Sequence, residues 1–475
     1  MVPITRSSRS PRAQDRLCFR ALGTIFTIID NVGLTAVNGT FNGLPEAALI
    51  TANKQTYQIS YVGGTGNDVT LTVVPTITDD IVVTVVDSNV VLSLASKGVT
   101  ITDLHTSCSS ASNSLTITAT NGGTISSSAG GITVDSKLGT ITVSLTTIPT
   151  FAGISLVGNS GVDSVTIGSG GINLAAITKG AADQGFSVIT MAGGTDRVWI
   201  LNPIVTKGAG SVAITTLGVG STQGIRLKAS VTSAGASSQS YSGAVTLQAN
   251  PMLSSGTGGI VFSSTLDGAS SISLSTTGPI SLSGNVGSTT PLKGMTVSKA
   301  ASMAVQAGLI LTGTGTSTGA NGLKIAAGVN NVVFAPTEAV RTISKFATGS
   351  GIALLGGSIA STVQGITIIG NFIGLSVAAG TYTGTLVTGY TLSGNSRIGI
   401  SLTNARSIAI GNTKAGGNTI ATNLWGIYAT GTLTGTTIRN NRITDVSRFG
   451  IYLNNAAGVK VGGALTNQGN SITNS

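Results

Sequence analysis

The sequence predicts an all-β fold, a parallel β-helix or β-solenoid with three short strands per coil. Three observations predict it. The chain of 475 residues is only 8 % charged and 4 % aromatic, against roughly 25 % charged in an ordinary globular domain. It carries 67 glycines, placed between short runs in which Val, Ile or Leu alternates with Thr or Ser. Near the C-terminus three kinds of segment recur in a fixed order, and recurrence at a fixed period is the mark of a repeat architecture.

The same composition excludes other classes. Disordered chains are rich in charge and poor in β-branched residues, whereas this one has a mean hydropathy of +0.40. No run of about 18 apolar residues escapes interruption by Ser, Thr, Asn or Gly, so no transmembrane helix is expected. The net charge of +10 belongs to the two ends. Residues 1–20 set five arginines against Asp15, and residues 397–475 set seven cations against Asp445. The body between them balances, so it is not a basic nucleic-acid-binding surface.

Residues 1–22 form a basic leader, expected to be disordered. It lacks the apolar core of a signal peptide, and reads either as a solvated basic tail or as a truncated start. Cys18 and Cys108 show no metal spacing; a disulfide between them is open. Residues 23–75 read as a separate β-strand unit and residues 76–320 as an irregular β-solenoid, divided at turns such as Gly122-Gly123 and Gly170-Gly171.

Residues 321–475 read as a regular parallel β-helix. Gly399-Ile400-Ser401-Leu402 is matched by Gly426-Ile427-Tyr428-Ala429 and Gly450-Ile451-Tyr452-Leu453. Ile408-Ala409-Ile410 is matched by Thr436-Thr437-Ile438 and Val459-Lys460-Val461. Asn418-Thr419-Ile420 is matched by Asn441-Arg442-Ile443 and Asn470-Ser471-Ile472. Copies lie 23 to 29 residues apart. Each segment alternates with period 2, so each is a strand with one buried face. A single coil cannot bury that face, so coils must stack. Ile400, Ile427 and Ile451 are expected in one inward column, at about 1.5–3 kcal/mol each when fully buried. Asn418, Asn441 and Asn470 are expected at one corner, bonding from coil to coil.

These segments resemble known families. FTIIDN, GTFNGLPEAA and YQISYVGGTGNDVTLTVV within residues 23–74 resemble the closing unit of autotransporter-type repeats in bacterial surface proteins. YSGAVTLQANPMLSSGTGGIVFSSTLDG (241–268) and LSGNVGSTTPLKGMTV (282–297) resemble repeats of filamentous-haemagglutinin-like adhesins. The C-terminal coils resemble the parallel β-helix of the pectate-lyase superfamily. The resemblance implies right-handed coiling, a secreted or cell-surface location and an adhesive or structural role. It transfers no catalytic residue, because the matched motifs are structural.

Catalysis and metal binding are therefore weighed from the residues. Glycan hydrolysis uses two carboxylates facing one bond, and from residue 268 onward the sequence holds only Glu338 and Asp445. The single histidine, His105, has no sequence context that marks a triad. No catalytic residue and no cofactor are expected. Gly63-Gly64-Thr65-Gly66-Asn67-Asp68 matches the start of a calcium-binding nonapeptide, which makes Asp68 a calcium candidate. Thr70 stands where that repeat needs a large apolar residue, and the motif occurs once. Asp79, Asp80, Asp163 and Asp196 are further surface-ion candidates.

The candidate ligand face is Tyr428 and Tyr452, with Ser401 on the same outward face, Arg442 and Lys460 projecting from other faces of the same coils, and Arg439 and Arg448 near turns, for glycans or other cell-surface polymers. An aromatic ladder that covers the strand row is the competing reading. The alternative function is a carbohydrate-active β-helix whose catalytic part is absent or degenerate. The run ends on Asn470-Ser471-Ile472 without a capping segment, so a longer solenoid or end-to-end self-association is expected.

Overall fold

The computed structural model describes residues 24–33, 35, 37–46, 48–52, 55–64, 66–74, 80–86, 89–94, 99–104, 114–119, 124–127, 132–135, 140–144, 153–157, 164–167, 171–176, 181–189, 197–216, 224–314, 320–329, 331–334, 340–356, 366–411, 417–466 and 468–475. The chain forms two compact units. Among the described residues the only helix is one 3-10 turn, Leu174–Ala176.

The first unit is a four-stranded antiparallel sheet, in the order Ile25–Ile29, Asp68–Val74, Gln55–Gly63, Leu49–Ala52. Ile59, Tyr61 and Val69 form its small core. The Tyr61 hydroxyl donates to the Leu44 carbonyl at 2.7 Å and accepts the Phe41 N–H at 2.7 Å, so its polar end is satisfied as its ring is buried.

The second unit is a β-solenoid of about 10 turns. Its strands stack into three walls. The first wall runs through Gly153–Val157, Gly185–Ile189, Val212–Thr215 and onward to Val332–Phe334. The second runs from Ser164–Ile167 through Leu309–Thr312 to Ser471–Thr473, carried across a thin place by single bridges of Val286 to Leu266 and Leu309. The third is a 12-stranded sheet from Ile172–Asn173 to Phe449–Ala457. In the last coils the first-wall place is taken by the short strands Leu386–Val387, Ala409–Ile410, Thr437–Ile438 and Lys460–Val461. Among the described residues the strands of these walls pair in parallel, and an isolated bridge, Ala326 to Gly356 at the end of a third-wall strand, is antiparallel. The C-terminal repeats align as their sequences do: Ile400 with Ile427 and Ile451, Ile410 with Ile438 and Val461, Ile420 with Ile443 and Ile472.

Residues 80–144 differ from the expected solenoid. Asp80–Val86 pairs antiparallel with Asn89–Leu94, Val99–Leu104 with Ser114–Ala119, and Thr140–Ser144 with both Ser114–Ala119 and Ile132–Asp135. For the first of these pairs the reason is connection length. Two residues between Val86 and Asn89 close a hairpin, whereas a parallel neighbour needs a whole turn of chain to return. Period-2 alternation is the same for both directions and does not reveal the difference. The parallel stack begins on these hairpins, with Val90 to Ser93 pairing Ile154 to Val157.

One buried cluster runs through the lumen from Ile154 to Val446. The recurring Gly-Ile pair has a packing cause. A Cβ on Gly399, Gly426 or Gly450 would stand 2.6 Å from Cγ2 of Ile420, 2.7 Å from that of Ile443 and 2.6 Å from that of Ile472. Each glycine thus makes room for an inward isoleucine of the second wall, and any side chain there overpacks the lumen. Among the described residues one basic residue breaks the apolar lining. Arg341 stands in register between Leu309 and Ile366 and is 2 % exposed, with its guanidinium 6.0 Å from the Phe334 ring. Burial lowers its pKa, and neighbouring Tyr390 opposes that shift.

Two asparagine columns tie the corners. In the expected one, the Asn418 amide donates to Asn441 Oδ1 and the Asn441 amide to Asn470 Oδ1, both at 2.8 Å. The second column, Asn371, Asn395 and Asn423, follows the second wall. Asn395 Oδ1 accepts both the N–H and the amide of Asn371 at 3.1 Å, and Asn423 Oδ1 accepts the same pair from Asn395 at 2.9 and 3.0 Å. All three are fully buried or nearly so. The residue before each lies in the left-handed region: Gly370, Gly394 and Thr422 at φ of 67°, 60° and 53°. Lys345 and Asp445 hold the same corner in the coils on either side, at 63° and 53°.

Replacing Asn395 by Ala strands two buried donors of Asn371, at about 1–3 kcal/mol each. Asn395→Ala is expected to lower stability by about 3 kcal/mol in urea unfolding, and Asn470→Ala, at a half-exposed corner, by about 1 kcal/mol. Equal losses at the two positions would contradict this account of the columns.

Candidate functional site

The outer face of the third wall carries the densest group of aromatic side chains among the described residues. It is built from a local departure from alternation. Within Trp425-Gly426-Ile427-Tyr428, Gly426 and Ile427 both face the lumen. Trp425 and Tyr428 therefore both emerge outside, and their rings stack at 5.2 Å with an interplanar angle of 23°. One coil later Phe449 and Tyr452 repeat the arrangement at 5.0 Å and 18°. The parallel register sets Trp425 beside Phe449 and Tyr428 beside Tyr452. The cross-coil contacts are 5.8 Å between the two tyrosines and 5.7 Å between Trp425 and Tyr452.

A cation extends the group towards earlier coils. The Arg397 guanidinium lies 5.4 Å from the Phe372 ring and 5.9 Å from the Trp425 ring. It is therefore in cation–π reach of rings on the coils before and after it. Such contacts contribute about 0.5–1 kcal/mol at exposed sites, and each aromatic pair about 0.5–1.5 kcal/mol beyond burial. Asn454 donates from its side-chain amide to the Tyr428 hydroxyl at 3.1 Å. Ser401 shares the Tyr428 and Tyr452 register column, as expected, but is 7 % exposed. Ile398, paired with Trp425, is 5 % exposed although it belongs to the outer column. The aromatic group thus covers the wall and also presents ring edges and the half-exposed Phe449 to solvent.

The sequence-derived residues lie on the three walls. Tyr428 and Tyr452 come together, and Arg448 precedes Phe449 at the entry to the same wall, its N–H donating to the Leu424 carbonyl at 3.0 Å. Arg442 is exposed on the second wall, between Thr419 and Ser471. Lys460 is exposed on the first. Arg439 follows the first-wall strand Thr437–Ile438, and its Nε is buried without a hydrogen-bond partner. Sequence reasoning missed Phe372, Arg397, Trp425 and Phe449. The signal was available: Trp425 and Phe449 immediately precede the glycine of the Gly-Ile pair, and Phe372 and Arg397 stand one residue earlier.

Asp68 has a structural partner. Its Oδ1 accepts the Asn31 N–H at 2.9 Å, while the Asn67 amide donates to the Asn31 carbonyl at 2.6 Å, so the Gly-rich turn is stitched to the segment that follows the strand Ile25–Ile29. Among the described residues no three His, Cys, Asp or Glu side chains gather in a group able to hold a metal. Asp80 lies in the strand Asp80–Val86. Cys18, Thr65, Asp79, His105, Cys108, Asp163, Asp196 and Glu338 lie outside the described residues, as does the leader, residues 1–22. Asp445 holds its left-handed corner with Oδ1 accepting the Asn474 amide at 3.0 Å. Among the described residues no helix is long and apolar enough to cross a membrane.

Comparison with known proteins finds no matching family model, no matching curated protein and no matching solved structure.

Trp425→Ala uncovers Ile398 and removes contacts with three rings or cations at once. It is expected to lower stability by about 1–2 kcal/mol in urea unfolding. Arg442→Ala, on the second wall, is expected to change stability by less than about 0.5 kcal/mol. Equal effects would remove the aromatic group from the account of the wall.

Proposed function

We propose that this chain is a structural or adhesive part of a secreted or cell-surface protein. On this reading a rigid β-solenoid holds an aromatic face where it meets glycans or other surface polymers. The observation that carries the reading is the cluster of Trp425, Tyr428, Phe449 and Tyr452 with Arg397 on the third wall. Ring edges, a half-exposed phenyl group and adjacent cations suit the apolar faces and hydroxyl or acidic groups of sugars. The autotransporter-like and haemagglutinin-like motifs at 23–74 and 241–297 support the surface location. The low charge supports it too, since long stacked coils need few charged groups to fold.

Carbohydrate cleavage is the second reading, and the geometry gives it little support. Asp445 is occupied at a corner by Asn474, and no described carboxylate faces it. The proposed role needs no catalytic residue, no cofactor and no resident calcium.

A glycan-array screen of the chain is expected to show binding that drops at least tenfold in Tyr428→Ala/Tyr452→Ala. Binding unchanged in that variant would move the contact surface elsewhere on the solenoid. Incubation with uronate polymers is expected to release no unsaturated or reducing ends. Steady release abolished by Asp445→Ala would replace the adhesive reading with the enzymatic one.

A further inference from the structure

A second surface feature lies away from the aromatic face, at the corner where the chain passes from the second wall to the third. A groove of about 450 Å³ runs along the stack there. Its polar lining includes Gln248, Asn250, Ser270, Lys293 and Lys345, with alanines from four different turns leaving the space open. No carboxylate is among the lining residues. Both lysines are exposed. Their spacing follows from register. Leu292 pairs with Leu311, and Leu311 with Ile343, so Lys293 and Lys345 stand two coil steps apart, roughly 10 Å at the ordinary separation of paired strands.

Lys345 is also held in an unfavourable backbone. It occupies the left-handed corner at φ 63°, where the next two coils carry Gly370 and Gly394. Glycine adopts that conformation freely, and an L side chain meets steric resistance. The other side chains of this column return something locally. The Thr422 hydroxyl bonds to the Ala421 carbonyl and accepts the Gly394 N–H, and the Asp445 carboxylate accepts Asn474. No such bond engages the Lys345 side chain among the described residues. A strained residue whose side chain lines a groove is a reason to look for a ligand.

We propose that this corner groove binds a ligand with two phosphate groups, each meeting one lysine, as in an extended phosphodiester chain. The lining favours phosphate over carboxylate. Lysine ammonium is a compact point charge suited to phosphate, and the planar guanidinium fork that matches carboxylates in two bonds is absent from the groove. Gln248, Asn250 and Ser270 offer hydrogen-bonding groups to the backbone of such a chain between its charges. Asn250 Oδ1 already accepts the Ser271 N–H at 2.8 Å, which orients its amide. No exposed aromatic ring lines the groove, so nothing there stacks bases as single-stranded nucleic acid requires.

The test is titration calorimetry of the full chain at low salt, using a glycerol phosphate oligomer, orthophosphate and a thymidine oligonucleotide. The oligomer is expected to bind at least tenfold more tightly than orthophosphate and than the oligonucleotide. Lys293→Gln and Lys345→Gly are each expected to weaken the oligomer at least tenfold, and Arg442→Gln to leave it within twofold. Lys345→Gly is also expected to keep or raise the thermal midpoint, because it relieves the corner. Unchanged affinity in the double variant Lys293→Gln/Lys345→Gly would overturn the site. So would orthophosphate binding as tightly as the oligomer, or an equal loss in Arg442→Gln. Tighter binding of the oligonucleotide would replace the phosphodiester chain by nucleic acid and overturn the assignment of the ligand.

Discussion

Coil-on-coil backbone pairing in register is the constraint on which the solenoid depends. Each strand satisfies its N–H and C=O groups with the copy of itself one turn away, about 4.8 Å along the stack. A residue at a given place in the coil therefore meets the same place in the next coil, and every property becomes a column. Inward isoleucines form columns that fill the lumen. The glycines beside them form another, because one extra carbon would strike an isoleucine of the second wall. Corner asparagines form two more, with Oδ1 of Asn395, Asn423, Asn441 and Asn470 each receiving an N–H and an amide from the previous coil. A buried amide is costly when unpaired and stabilising when paired, so these columns hold only while the register holds.

The same rule governs the outside. An aromatic residue placed before the Gly-Ile pair in successive coils meets its counterpart, and the result is a continuous aromatic patch. Arg397 enters that series as a cation between rings of neighbouring coils. The surface is thus additive along the stack, and a binding face grows by repetition without needing a cleft. Chemistry that needs several different groups converging on one point is poorly served by this geometry. Groups on different walls, such as Arg442 and Lys460, stay apart although they are close in sequence.

The lumen and the first unit show where a local rule meets a different environment. Arg341 takes an inward place in the second wall, where burial works against its charge and Tyr390 works in favour of it. Asp68 and Asn67, in a turn that reads as the start of an ion-binding repeat, hydrogen-bond with Asn31. In both cases the fold supplies a partner that the residue type alone does not reveal.

Much of the fold was legible because a solenoid converts sequence period directly into contact. The alignment of Gly399, Gly426 and Gly450, of Ile410, Ile438 and Val461, and of Asn418, Asn441 and Asn470 was readable from spacing alone, and so was the pairing of Tyr428 with Tyr452. The second asparagine column was less visible, since Asn371 and Asn423 stand three residues before their glycines and Asn395 stands four. Strand direction in residues 80–144 was not legible, because alternation has no direction. The positions of Arg397, Trp425 and Phe449 before their glycines were legible, but the contacts of Arg397 with Trp425 and of Phe449 with Tyr452 were not, because they depend on two consecutive inward residues turning the next side chain outward. The sequence by itself determined the repeat, its inward faces and its corner residues, because these are local properties copied from coil to coil. Only the tertiary structure decided which outward side chains touch, which hairpins begin the stack and what lines the corner groove. Those depend on how many residues each turn uses to return to the same wall, and therefore on contacts between segments that no local pattern encodes.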